Sequence, residues 1–266
     1  RIPYHGILVS KSIVDGSVRG SGKYSESQRA RLYRLGVKEF FRLPDHIETL
    51  GDNGAFNYVG EKVPPVTVEE TLDFYEGCKF DAGASVDHVI FGYAPGATES
   101  TVDAEWAERR QLTLRLAQEF IEASAHRRTR MKPVGVAQGW SPASYADSVL
   151  RLQEFGYRRI ALGGMVPLKT KDIVECLTEI RPILADTSKL HLLGITRVEA
   201  MDDFARLGVT SFDSTSAFRQ SFMDDRHNYH TIAESYVAVR VPQVEGNPTL
   251  KRNILAGFVS QRDAVG

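Results

Sequence analysis

The feature that most constrains this chain is a strand–helix–strand pattern between Leu190 and Arg219 whose second strand ends on an acid. An apolar run from Leu190 stops at a Gly194 turn, and the spacing then predicts a helix over Arg197–Leu207. A second strand, Val209 to Phe212, runs into a polar loop that opens with Asp213. Such a unit predicts a parallel α/β fold. In barrels of that class chemistry sits at the carboxyl ends of strands, so Asp213 is a candidate catalytic carboxylate. Asp is also a common helix cap, and position alone leaves both readings open.

The other strand ends favour the catalytic reading. Val134 to Gln138 (VGVAQ) is an apolar run closing on an amide, followed by a helix expected over Ser141–Phe155. Ile160 to Met165 (IALGGM) closes on two glycines, where exposed backbone N–H groups can approach a ligand. Asp87 sits at the edge of VDHVIFG and Asp52 opens GDNGAF. A barrel would bring three carboxylates, one amide and a Gly-Gly backbone to one face.

Length fits that fold: 266 residues, 42% of them apolar, match one barrel-sized domain spanning 1–266. The net charge is −1 and no apolar run reaches membrane-spanning length, so a soluble protein is expected. Two distant cysteines, Cys78 and Cys176, exclude a disulfide framework and point to a reducing, cytoplasmic setting. There is no internal repeat, low-complexity tract or linker. The Gly/Ser-rich piece Asp15 to Ser27 reads as a mobile loop. Further helices are expected over Ser25–Leu35, Thr67–Gly77, Val102–Ala125 and Lys169–Ile180. The stripe Trp106, Leu112, Leu114, Leu116, Ala117 and Phe120 reads as core packing. The tail holds a strand candidate, Tyr236 to Val241 (YVAVRV). Two basic clusters, Arg29, Arg31, Arg34 and Lys38, and Arg127, Arg128, Arg130 and Lys132, could contact phosphates or simply be solvated helix ends.

From about Asp52 to Arg219 the chain resembles the tRNA-guanine transglycosylase superfamily of (β/α)8 barrels. Asp52-Asn53-Gly54-Ala55-Phe56 is similar to the family's Asp-Ser-Gly-Gly-Tyr, keeping the acid, the first Gly and an aromatic at the same interval. Gln138-Gly139-Trp140 resembles Gln-Gly-Gly, and Leu162-Gly163-Gly164-Met165 resembles Val-Gly-Gly-Leu. Leu192-Leu193-Gly194-Ile195-Thr196 resembles Leu-Met-Gly-Val-Gly. Phe212-Asp213-Ser214 with Arg219 resembles the Phe-Asp-Cys nucleophile motif and its downstream Arg. Each motif alone is weak; five in the family's order are specific.

The departures matter as much. The family's tRNA enzymes hold a structural zinc through Cys-x-Cys-x-x-Cys and a later His, and this chain has no cysteine beyond Cys176. His227 and His230 supply two ligands at most, short of the usual four, so no zinc and no other cofactor is expected. Ala217 and Phe218 replace the Pro-Thr before the motif Arg. The tail Asn228 to Asn247 looks more like the DNA-directed branch, which inserts 7-deazaguanine bases into DNA. The resemblance thus implies a base-exchanging enzyme on DNA, with a zinc-less tRNA enzyme or a non-catalytic accessory barrel as alternatives. A helper protein or a second copy of the chain remain open as partners.

The implied chemistry explains the residue types. Replacing a base on the same face of the sugar takes two displacements through a covalent sugar–enzyme intermediate, as in retaining glycosidases. By resemblance Asp213 is the nucleophile, and Asp52 protonates the departing guanine and later takes a proton from the incoming base. Asp87, Gln138 and Gly164 complement guanine's donor and acceptor edge. Phe56 and Leu193 take the two faces of the ring, with Gly163, Met165 and Gly194 completing the surrounding motifs.

Overall fold

The protein is described by a computed structural model covering residues 4–17, 20–216, 219, 228–230, 234–237 and 248–257. The chain divides into a unit ending at Ser214 and a second starting at Thr215. The first is an α/β domain. Its seven-stranded sheet is built from β1 (Gly6–Ser10), β2 (Glu48–Asp52), β3 (Ala82–Ala84), β4 (Lys132–Ala137), β5 (Arg159–Leu162), β6 (Lys189–Leu192) and β7 (Val209–Phe212). Neighbours follow chain order and every pair is parallel. The connections carry helices α1 (Lys11–Asp15), α2 (Glu26–Leu35), α3 (Val37–Phe41), α4 (Val68–Gly77), α5 (Ala104–Arg127), α6 (Pro142–Glu154), α7 (Thr170–Ile180) and α8 (Met201–Arg206).

Alternation along each strand decides what faces outward. Leu190 and Leu192 of β6 and Ile160 and Leu162 of β5 pack with Ile173, Leu177 and Val149 of the helices. The other parity packs inward as a second layer of small residues, Ala82, Ala84, Val134, Val136 and Ala161, against Leu50 and Leu193. With a side-chain period of two, Leu50 fixes Asp52 on the inner face of β2, and Val134 and Val136 fix Gln138 beyond β4.

The sheet is curled. At its amino-terminal end Arg159 of β5 reaches Glu48 of β2 at 2.6 Å, and Lys132 of β4 lies 3.7 Å from the same carboxylate. At the carboxyl end the charge of Asp213, after β7, acts on Asp52 of β2. Five strand steps of about 4.8 Å would hold those two acids some 24 Å apart in a flat sheet. Only curling brings them into range. The expectation of eight strands goes further than this, since among the described residues seven strands pair, with β1 and β7 at the edges.

Helix periodicity was legible because caps and apolar faces coincide. Ser25 with Gln28, Thr67 with Glu70 and Ser141 with Ser144 form reciprocal caps, which set the starts of α2, α4 and α6. On α5 the expected stripe is buried at Leu114, Ala117 and Phe120, whereas Trp106, Leu112 and Leu116 are only partly covered. The Gly/Ser-rich piece from Asp15 is more than a loop: Gly16–Ser17 pairs antiparallel with Gly20–Ser21 before the Ser25 cap. In the second unit Tyr229–His230 pairs antiparallel with Ser235–Tyr236, and a helix covers Pro248–Leu255. Of the strand expected over Tyr236–Val241, Tyr236 falls in that pair and residues 238–241 lie outside the described residues. No helix among the described residues is long and apolar enough to cross a membrane.

Candidate active site

The inner-face parity of β2, β4, β5, β6 and β7 delivers Asp52, Gln138, Gly163, Leu193 and Asp213 to the same end of the curl. Asp52 is the acid with the most altered chemistry. Burial raises its pKa to about 7, with the charges of Asp87 and then Asp213 adding to the effect. The Ser10 hydroxyl and the Gly54 N–H, which hydrogen-bond its carboxylate, hold it below what burial alone would give. Gly54 has φ +91°, and a Cβ there would fall 1.9 Å from Ser12 Oγ and 2.5 Å from Ser10 Oγ. A glycine is therefore required for the turn that seats Asp52.

Asp87 is 3% exposed and fully engaged. Asn53 Nδ2 donates to its Oδ1 at 3.1 Å and Gln138 Nε2 to its Oδ2 at 2.7 Å. Both amides are themselves oriented by backbone. Asn53 Nδ2 also donates to Ser85 O at 3.0 Å, and the Ile90 N–H donates to Gln138 Oε1 at 3.3 Å. The Tyr58 hydroxyl lies against Asn53 Oδ1 and 3.0 Å from the Asp87 carbonyl. Burial pushes the Asp87 pKa up to about 6, and the hydrogen bonds from Asn53 and Gln138 act against that rise. Gly164, at φ +75°, completes the cradle: a Cβ there would meet Ile90 O at 2.4 Å and Gln138 Oε1 at 2.7 Å.

Asp213 is held differently. Its Oδ1 accepts from the Gly194 N–H at 2.9 Å and faces His191 Nε2 at 3.1 Å, while His191 Nδ1 lies 2.9 Å from Ser211 Oγ. Its backbone N–H continues the ladder to Leu192 O at 3.3 Å. Asp213 is thus a strand-end carboxylate tied back to β6, which disfavours the helix-cap reading.

The remaining expected residues divide. Leu193 packs on the small inner layer and is half-buried. Phe56 is 54% exposed, its ring centroid 5.2 Å from that of Phe91. Met165 is fully buried in the outer core among residues such as Leu162 and Ile173. His191, Asn53, Tyr58 and Ser10 are site residues that motif reading overlooked. The signal for His191 was its parity, a polar side chain alternating with Leu190 and Leu192.

Of the two basic clusters, Arg127 and Lys38 are held in ion pairs and Lys132 stands at the opposite end of the sheet. Arg127 pairs with Glu69, Asp73 and Glu76, Lys38 with Asp81 at 3.0 Å, and Lys132 stands at the amino end of β4. At the carboxyl ends Lys169 follows β5 and Arg197 follows β6, while Lys11, directly after β1, pairs with Asp15. Among the described residues no three His, Cys, Asp or Glu side chains gather as metal ligands, and His227 lies outside those residues.

No protein-family model matches the chain. A protein of Salmonella montevideo described as "DNA-guanine transglycosylase" is 51% identical over 262 residues, which cover 97% of this chain. The chain spans 62% of the length of that relative.

Proposed function

We propose that this chain is a guanine transglycosylase of the DNA-directed branch, exchanging guanine in DNA for a 7-deazaguanine base through a covalent Asp213–sugar intermediate. The observation that carries the reading is the pairing of two unlike carboxylates at one end of the curl. Asp52 has a pKa near neutrality, suited to giving and taking a proton, and Asp213 is oriented through Oδ1 while Oδ2 receives no hydrogen bond among the described residues. An accessory, non-reacting barrel would have no use for such a pair. The 51% identical relative, described as a DNA-guanine transglycosylase, supports both the reaction and DNA as the polymer.

In this reading guanine enters between Phe56 and Leu193, and the Asp87–Gln138–Gly164 cradle meets its donor and acceptor edge. Lys169, after β5, and Arg197, after β6, are in this reading the cations offered to flanking phosphates. The curled sheet forms part of a (β/α)8 barrel, residues 1–266 act as one domain, and the buried thiols of Cys78 and Cys176 suit the cytoplasm. The test is incorporation of labelled 7-cyano-7-deazaguanine into single-stranded DNA, duplex DNA and tRNA. Labelled DNA supports the proposal. Label confined to tRNA replaces it with the tRNA reading, and no label in any polymer replaces it with an accessory role.

A further inference from the structure

His191 is the polar side chain on the inner face that the exchange chemistry above leaves without a task. Leu190 and Leu192 on either side of it pack into the outer core, so alternation turns the imidazole toward Asp213. Its side chain is 14% exposed and that of Asp213 30%, so the contact is partly shielded from water. A carboxylate can only accept, so the Nε2 that faces Asp213 Oδ1 at 3.1 Å carries a proton. In the neutral ring Nδ1 is then bare and accepts from the Ser211 hydroxyl at 2.9 Å. The Gly194 N–H brings a second donor to the same oxygen at 2.9 Å. Among the described residues Oδ2 receives no hydrogen bond.

We infer that His191, held in its Nε2–H form by Ser211, is a positioning residue that clamps Asp213 Oδ1 together with the Gly194 N–H. The clamp selects Oδ2 as the attacking oxygen and makes Asp213 the better leaving group in the second half of the exchange. This inference rests on the transglycosylase reading. In the first half-reaction an Oδ2 lone pair forms the bond to C1′, and the electrons of the glycosidic C–N bond leave with guanine, which takes the Asp52 proton. Asp213 is then an ester with Oδ1 as its carbonyl oxygen. In the second half the incoming base gives its ring N–H proton to Asp52, its nitrogen bonds C1′, and the C1′–Oδ2 electrons return to the carboxylate. Donors on Oδ1 are strongest toward that returning charge. They favour free carboxylate over ester, so losing one lengthens the life of the adduct.

The experiment uses the full chain and a guanine-containing single-stranded oligonucleotide, comparing wild type with His191→Phe, His191→Gln and Ser211→Ala. Exchange of labelled guanine gives turnover, and a denaturing quench gives the fraction of protein covalently joined to DNA. His191→Phe is expected to lose turnover by roughly tenfold, the size of one charge-assisted hydrogen bond, while the trapped adduct increases. His191→Gln, which keeps a donor, is expected to return both toward wild type, and Ser211→Ala to fall between. Turnover and adduct falling in parallel, or both staying unchanged, would overturn the inference. Nitrogen-15 spectra of the free wild-type chain provide a readout that needs no substrate: the Nε2–H ring form is expected, and an Nδ1–H form refutes the clamp. If wild type neither exchanges base nor forms an adduct, the enzymatic reading fails and the ring form still decides whether His191 holds Asp213 as described.

Discussion

Replacing Asp52 by Asn should stabilise the protein above neutral pH while removing its activity. The folded-state pKa of Asp52 is about 7, against about 3.9 for an unperturbed Asp in the unfolded chain. Below pH 4 both states hold the proton and the group contributes no difference. Between pH 4 and 7 the folded state keeps a proton that the unfolded state has lost, so unfolding free energy falls as pH rises. Above pH 7 the whole penalty is present. Three pKa units correspond to about 4 kcal/mol, an upper figure because water reaches part of the side chain. Asn keeps the shape, can accept from the Gly54 N–H and can donate to Ser10 Oγ, so the local hydrogen bonds survive. We expect a gain of about 2–4 kcal/mol at pH 8, where 1 kcal/mol is worth roughly 2–4 °C in a chain of this size. Denaturant unfolding of both proteins at pH 4.5 and pH 8 measures it. A gain that is the same at the two pH values, or a loss at pH 8, would refute the assignment of a buried, proton-retaining Asp52.

The same raised pKa places the basic limb of wild-type kcat/KM near pH 7, because attack needs protonated Asp52; a rate still rising at pH 9 would contradict it. Gly164→Ala should melt earlier by at least the roughly 1–2 kcal/mol that a left-handed L-residue costs, and should lose guanine binding as the new Cβ displaces Gln138. Calorimetry and an equilibrium guanine titration check both. Phe56→Ala should leave the melting temperature nearly unchanged, since the ring is 54% exposed, yet weaken DNA exchange by about 1–3 kcal/mol of lost stacking. A stability loss without an activity loss would return Phe56 to a structural role.

What the sequence revealed depended on the period of each element. Helices α2, α4 and α6 could be read to within a residue or two because their caps mark the starts, α7 from its apolar stripe of Ile173, Cys176, Leu177 and Ile180 without a side-chain cap, and β7 from its Gly208 and Asp213 boundaries. β1 and α1 were not visible, because Gly6–Ser10 runs directly into Lys11–Asp15 with no turn residue between them. The three acids and Gln138 were legible as residues at strand ends, where the structure also has them. Asn53 and Tyr58 were not, since their role is to orient Asp87 from 34 and 29 residues away. His191 was missed because it acts across β6 and β7, through a pairing that bulges between Leu190 and His191 and so shifts the register. One member of the basic clusters shows the same limit: sequence shows that cations are adjacent, not that α4 carboxylates neutralise Arg127.

The central claim is that Asp213 becomes covalently joined to a DNA sugar. The direct measurement is mass spectrometry of peptides from protein quenched during exchange on single-stranded DNA, with Asp213→Asn in parallel. The account predicts on the peptide containing Asp213 the mass of the oligonucleotide less guanine, trimmed by nuclease to a base-less deoxyribose phosphate, absent from the Asn variant, which folds normally and exchanges no base. An adduct on another residue, or exchange at the wild-type rate by Asp213→Asn, would contradict it.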